Sequence, residues 1–358
     1  MRRYRWRVRR SFAELTTMRL GGDAAQYVVA ATTADLVDAV SAADADGTPV
    51  LVFGEGSNLV VGDQGFDGVA VHVKTAGLDI DGDTVTADAG VHWDDVVAQS
   101  LAAGLGGLEP LSGVPGSTGG TPVQNVGAYG ALVSQFLRSV TAYDRSVGEV
   151  ITIAGDRCGF GSHRQSIFKH TDRYVILNVE FALESTSTSR PLAYAGLAHR
   201  LGRGIGDVAP TAEVRRAVLE MRRERAMLLD SENHDTWSVG SFFINPVLPS
   251  VPEKARDCPT YPDVAGVKLP AAWLIDHAGF APGYGAQWGR GRVRLSTKHA
   301  LAITNRGGAT TGEVMAFASH IREGVERAFD VRLGPECDLV NCSFDDPAPE
   351  WLATASAG

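Results

Sequence analysis

The chain of 358 residues has little cysteine, no excess of positive charge and no long apolar run, and each shortage removes a class of protein. Its four cysteines, Cys158, Cys258, Cys337 and Cys342, form no CxxC pair and no even framework, so a reducing, cytosolic compartment is expected and no metal site is. Lysine and arginine number 33 against 42 aspartates and glutamates, a net charge of −9. That balance leaves no basic stripe to offset phosphate charge, which argues against nucleic-acid binding. No apolar run is long enough to span a bilayer. The basic start carries Arg9-Arg10-Ser11-Phe12, yet no apolar segment of an export signal follows, and a cytoplasmic location is expected. With 44% hydrophobic and 21% charged residues the composition is that of an ordinary soluble globular chain, long enough for two or three domains. No repeat and no oligomerisation feature stands out, so a monomer is expected.

Glycine, by contrast, is plentiful, with 41 residues, and many cluster in Gly113–Gly130, GVPGSTGGTPVQNVGAYG. Glycine loses more backbone entropy on folding than any other residue and is used where φ is positive or where a ligand meets the backbone. The stretch is therefore expected to be neither an ordinary helix nor a packed strand. Its residue types leave two readings open, a surface loop or a nest of free N–H groups for an anion or a planar ring. A second glycine loop, Gly54-Glu55-Gly56-Ser57-Asn58-Leu59, follows the buried-strand run Pro49–Phe53. It lacks the third glycine of the dinucleotide fingerprint and is followed by strand-like residues, so it is not a Rossmann turn.

The rest of the pattern alternates strands and helices. Strands are expected at Ala24–Ala31, Pro49–Phe53, Gly65–Val73, Ser139–Arg145, Tyr174–Leu183 and Ala300–Thr304, with a hairpin over Gly77–Val91. Helices are expected at Thr33–Ala45, Trp93–Ala103, Pro210–Met227, Ala271–Ala278 and Thr311–Phe329. Glu184–Arg190 and Pro246–Pro262 read as surface loops.

Taken in order, Thr17–Gly22 (TMRLGG), Gly54–Leu59 (GEGSNL), Gly113–Gly130, Arg164–Lys169 (RQSIFK), Gly240–Pro246 (GSFFINP), Ala272–Asp276 (AWLID) and Pro335–Glu336 cover nearly the whole chain. Together they resemble the UDP-N-acetylenolpyruvoylglucosamine reductase (MurB) family, in its long-loop, type I-like class. The resemblance implies an α+β fold: an FAD-binding domain of the vanillyl-alcohol-oxidase (PCMH) type, then a MurB-type substrate domain. It implies boundaries at 1–208, with subdomains of about 12–75 and 76–208, then 209–345, and a tail over 346–358.

The implied activity is reduction of an enolpyruvyl ether to a lactyl ether, with NADPH as co-substrate and non-covalent FAD, since neither cofactor loop offers a His or Cys for a flavin bond. Hydride from flavin N5 would reach C3 and a proton from Ser241 would reach C2. Arg164 and Glu336 would stabilise the enolate through its carboxylate. Cofactor contacts carried over by resemblance are Gly54, Glu55, Gly56, Ser57, Asn58 and Leu59 at the pyrophosphate. From the second stretch come Gly113, Pro115, Gly116, Ser117, Gly119, Gly120, Gln124, Asn125, Gly127, Ala128 and Tyr129. Substrate contacts are Tyr129, Tyr194, Arg222, Arg225 and Asn245, the two arginines supplying charge for the diphosphate of a UDP-sugar. Three departures stand out: His163 for the usual Tyr, Arg225 for the usual Lys, and Cys337 after Glu336. They leave open a MurB-like flavin reductase acting on a related substrate in a specialised pathway. A non-catalytic flavin-binding protein is a third reading, which the intact Arg164, Ser241 and Glu336 disfavour.

Overall fold

The computed structural model describes residues 9–161, 165–169 and 171–346. Its helices are α1 (Thr33–Ala45), α2 (Trp93–Ala102), α3 (Gly120–Val123), α4 (Ala195–Arg200), α5 (Thr211–Glu224), α6 (Ala271–His277) and α7 (Thr311–Phe329). Among the described residues, no helix is long and apolar enough to cross a membrane. The mixture of helices and mostly antiparallel strands is the α+β class expected from the sequence.

The chain packs into two compact units that interleave in sequence. The first takes residues 26–55 and the described part of 68–224; the second takes 9–25, 56–67 and 225–346. In the first unit a five-stranded antiparallel sheet runs in the order Glu149–Ala154, Leu137–Asp144, Tyr174–Ala182, Thr84–Asp88, Leu78–Asp81. Alternation of apolar and polar residues along Tyr174–Ala182 turns Val175, Leu177, Val179 and Phe181 to one face. That face meets α2, where fully buried Trp93 packs on Phe181 at 5.6 Å between ring centroids. Parallel strands Val50–Phe53 and Phe66–Val73 are a second layer, with Phe53 level with His72. Helix α1 leads into them under a complete capping box, Thr32 with Asp35, which meets two otherwise orphaned N–H groups.

In the second unit, α6 and α7 enclose a core that contains Phe242, Phe243, Leu274, Ile303, Phe317 and Ile321. The early segments are built into it: Met18, Leu20 and Val60 belong to the same core, and Leu59–Val61 pairs in parallel with Asp338–Val340. Asp63 accepts from the N–H groups of Thr311 (2.8 Å) and Gly312 (2.9 Å), placing a carboxylate at the positive end of α7.

Local differences from the sequence expectations have local causes. Helix α5 stops at Glu224, short of Met227, because Ala226 takes a positive φ of 54°. The strand expected at Ala300–Thr304 is Ile303–Asn305, since a turn at Leu301 precedes it. Glu184–Ser185, read as loop, pairs with Leu105–Gly106. The glycine stretch holds one helical turn, α3, despite its composition, and a tight hairpin in which Ala128 opposes Ala131.

Candidate active site

Each unit carries part of the expected site. In the first, the segment from Leu111 to Gly119 is tied to residues 89–94. The Trp93 indole donates to the Leu111 carbonyl at 3.0 Å, and the Trp93 N–H to the Gly116 carbonyl at 2.9 Å. The Thr118 and Gly119 N–H groups donate to the carbonyls of Val91 and Ala89 at 2.8 and 2.9 Å. The Gly113 N–H donates to Asp94 at 2.7 Å, while its carbonyl accepts from Arg222 Nε at 2.9 Å. The Gly116 N–H donates to Glu55 at 3.2 Å, and His92 lies 3.7 Å from the same carboxylate.

This pairing corrects the idea of a nest of free N–H groups along Gly113–Gly130. Gly113, Gly116, Thr118, Gly119, Gly120 and Thr121 all donate within the protein, and between Gly116 and Thr121 only Ser117 has an N–H without an acceptor among the described residues. Asn125, at a positive φ of 38°, uses its side-chain oxygen to accept from the Ser134 N–H. Gln124 is different. Both polar atoms of its amide are buried and find no partner among the described residues, a state that ordinarily costs about 1–3 kcal/mol per group. Pro115 and Gly120 are exposed. Gly127 is confined by Leu132, and Ala128 lies beside it in the hairpin strand.

The first glycine loop behaves in the opposite way. The N–H groups of Glu55, Gly56, Ser57 and Asn58 meet no acceptor among the described residues. A Cβ on Gly54 would lie 1.9 Å from Ser117 Oγ, and one on Gly56 would lie 2.6 Å from the Leu15 carbonyl. Gly56 is closed to a side chain by that backbone contact and by its positive φ, whereas at Gly54 the Ser117 side chain would have to move.

Tyr129, at a positive φ of 48°, and Tyr194 meet edge to face at 5.6 Å, so two residues assigned to substrate do come together. Arg222 is placed otherwise than expected. It is buried, with Nε on the Gly113 carbonyl, and it belongs to the first unit. Arg225 lies past the end of α5 in the second unit, half-buried and with no ion-pair or hydrogen-bond partner among the described residues.

In the second unit, residues 242–244 run antiparallel to residues 334–336. The Glu336 N–H donates to the Phe242 carbonyl at 2.8 Å, and the Ile244 N–H to the Gly334 carbonyl at 3.0 Å, with Phe243 level with Pro335. Asn58 joins the same assembly: its carbonyl accepts from the Asp338 N–H at 2.9 Å and its amide approaches the Glu336 carbonyl at 3.4 Å. Ser241, half-buried, immediately precedes the paired segment, and Leu59 opens the strand beside Asp338. Three chain segments remote in sequence thereby bring Asn58, Ser241 and Glu336 to one place. Asn245 is exposed, and its side-chain oxygen accepts from the Ala271 N–H at the start of α6, which is helix capping. Cys337 is buried, and burial pushes its thiol well above the ordinary value, so it stays protonated and unreactive. Arg164 and His163 lie outside the described residues.

Asp94 and Arg215 were not singled out from the sequence. They form a bidentate pair at 2.7 and 2.8 Å. Burial alone would raise the Asp94 pKa, but the hydrogen bonds from Arg215 and the Gly113 N–H outweigh it and hold the carboxyl below its usual range. The available signal was the seven-residue spacing of Arg215 and Arg222, which puts both on one face of a helix.

A flavin dinucleotide fits these residues on two grounds. Unmatched N–H donors over Glu55–Asn58 suit a pyrophosphate. Gly120 needs glycine neither for its φ nor for space, since nothing lies within 4 Å of a Cβ built there, so the open side is available to a ligand.

Residues 24–154 match the FAD binding domain family, and residues 232–340 match the C-terminal domain of UDP-N-acetylenolpyruvoylglucosamine reductase. The reductase of that name from Nocardia farcinica is 51% identical over 336 residues, covering 90% of this chain and 87% of the relative. The one from Saccharopolyspora erythraea is 48% identical, covering 93% and 95%. The crystal structure of the Thermus caldophilus reductase superposes with a TM-score of 0.66 at 23% identity, over 93% of this chain and 98% of that one. On sequence identity across nine-tenths of its length, the chain belongs to the UDP-N-acetylenolpyruvoylglucosamine reductase family.

Proposed function

We infer that this chain is an NADPH-dependent flavoenzyme that reduces UDP-N-acetylenolpyruvoylglucosamine to UDP-N-acetylmuramate in peptidoglycan precursor synthesis. The observation that carries the reading is identity at about half of all positions to reductases of that name, extending through both halves of the chain. FAD, held without a covalent link and reduced by NADPH, would supply the hydride for C3 of the enolpyruvyl group.

The chain's own residues then have two tasks. The Ser241 hydroxyl gives its proton to C2, which a weak acid can do only against a carbon that has become strongly basic. Arg164 and Glu336 stabilise the charge spreading onto the substrate carboxylate. Support for this division comes from the main-chain pairing that holds residues 242–244 beside Gly334–Glu336. The unmatched N–H groups of Glu55–Asn58 suit the cofactor pyrophosphate, and the Gln124 amide has hydrogen-bonding capacity that a flavin ring would satisfy. Arg225, which has no ion-pair or hydrogen-bond partner among the described residues, is the cation best suited to the UDP-sugar diphosphate, and Tyr194 and Tyr129, which meet edge to face, are offered as aromatic contacts for the same substrate. Asn245 keeps an amide N–H₂ for the same ligand. In functional terms FAD binding falls mainly to residues 1–208 and substrate binding mainly to 209–345, with α5 at Thr211–Glu224 packed in the first unit. The protein acts as a monomer in the cytoplasm, where both NADPH and UDP-sugars are supplied.

The test is acceptor-dependent NADPH oxidation by the purified flavoprotein, with the lactyl ether identified as product. No lactyl product at saturating acceptor would reject the reading, and turnover with a different enolpyruvyl acceptor would favour the specialised alternative. In the same assay, Ser241→Ala should leave flavin reduction by NADPH intact and slow reoxidation by substrate about 10²–10³-fold. Equal slowing of both half-reactions would make Ser241 structural.

A further inference from the structure

The glycine stretch is held in two different ways. From Gly116 to Gly119 it is tied mainly by main-chain pairing to residues 89–93, which any side chains could maintain. At Gly113 no such pairing exists. Its N–H is held by Asp94, Asp94 is held by the fork of Arg215, and its carbonyl is held by Arg222. Gly113 has a positive φ of 67°, so the direction in which the chain leaves it depends on how these groups fix the peptides on its two sides. Pro115 has no N–H and is exposed, so it adds no tether. Arg215 and Arg222 sit two turns apart on α5, and a planar guanidinium binding a carboxylate through two parallel hydrogen bonds fixes angle as well as distance.

We propose that Asp94, Arg215 and Arg222 are positioning residues for FAD: they clamp both polar groups of Gly113 and so aim the stretch that follows it. Helix α5 therefore sets part of the cofactor affinity. This assigns Arg222 a role toward the cofactor loop in addition to any charge it offers a diphosphate. The inference rests on Gly113–Gly130 lying along FAD.

The measurement is release of flavin from diluted holoenzyme, read by recovery of flavin fluorescence, alongside thermal melting. Asp94→Ala and Arg215→Met should each weaken FAD binding by about tenfold or more, the scale for loss of a charged hydrogen bond. Asp94→Asn keeps an acceptor for the Gly113 N–H, loses the charge and should fall between these and the wild type. It also supplies a near-isosteric variant should the larger changes not fold. The control is Arg145→Met. It removes a comparable, partly buried fork onto Asp44 in the same unit, so it should lower the melting temperature and leave FAD affinity within about twofold. The clamp is overturned if all Asp94 and Arg215 variants keep wild-type affinity, or if Arg145→Met loses as much as Arg215→Met. Gly120→Val tests the underlying reading separately. A branched side chain on the open side of Gly120 should obstruct FAD, and unchanged affinity there would remove the stretch from the cofactor site whatever the clamp variants do.

Discussion

His72 stands beside the first glycine loop with only one of its ring nitrogens satisfied. Nδ1 and the Tyr27 hydroxyl lie 2.7 Å apart, the ring stacks on Phe53 at 4.7 Å, and Nε2 is buried without a partner among the described residues. Burial, reinforced by the charge of Lys74, lowers its pKa to about 4, with the Gly54 backbone acting in the opposite direction. The unfolded chain, with an ordinary histidine, binds this proton near pH 6.5, whereas the folded protein resists it until about pH 4. Stability contributed by neutral His72 is therefore complete above pH 6.5 and is lost progressively as the pH falls toward 4. The melting temperature should drop across that window, and His72→Gln should flatten the drop; an identical pH profile for the two proteins would exclude His72 as the cause. Residue identity announced none of this. A histidine in the strand-like run Phe66–Val73 looks like any half-buried residue until Tyr27, Phe53 and Gly54 arrive around it.

Among the elements, the long helices were legible because their signals are local. Helix α7 begins at Thr310 with Glu313 three residues on, and the structure shows both bonds of the capping box, the Glu313 N–H donating to the threonine hydroxyl at 3.1 Å and the Thr310 N–H to the carboxylate at 3.0 Å. Thr310 is exposed, so Thr310→Ala changes little except the cap. It should cost about 1 kcal/mol, read as a lower denaturant midpoint for the second unit with an unchanged slope. The glycine stretch was legible in its importance and not in its conformation. Composition argued against helix, yet Gly120–Val123 makes one helical turn because neighbouring segments, not propensity, decide a four-residue element. Helix α5 is legible in the sequence, but the main-chain partner of its basic face is not. Arg222 turns to a carbonyl of the chain itself, a partner 109 residues away that no local pattern identifies.

For the molecule as a whole, the interleaving of the two units has a consequence for truncation. The second unit keeps Met18, Leu20 and Val60 in its core, pairs Leu59–Val61 with Asp338–Val340, and uses Asp63 at the start of α7. Each of those three apolar side chains contributes about 1.5–3 kcal/mol on burial, a total comparable with the whole stability of a typical domain. A fragment of residues 225–358 should therefore lack a cooperative unfolding transition and bind an apolar dye, although it contains the entire matched C-terminal domain at 232–340. A sharp thermal transition for that fragment, followed by circular dichroism, would show that the early segments are dispensable.

The class, the placement of the main helices and strands, the two glycine loops and the family are legible in the sequence, because each of these is written in residues close together or in motifs whose order is preserved. Gly54, Ser241 and Glu336 could be nominated from such motifs alone. How the nominated residues are held emerged from the fold. It showed that the Gly113–Gly130 stretch meets most of its own N–H groups, whereas Glu55–Asn58 leaves its N–H groups unmatched. It also turned Arg222 to the Gly113 carbonyl, and it put Asn58 beside Glu336 across 278 positions of chain. The physical reason is that periodicity, capping and turn chemistry act over a few residues, while hydrogen-bond satisfaction in a folded interior is settled among groups whose separation along the chain carries no information about their separation in space.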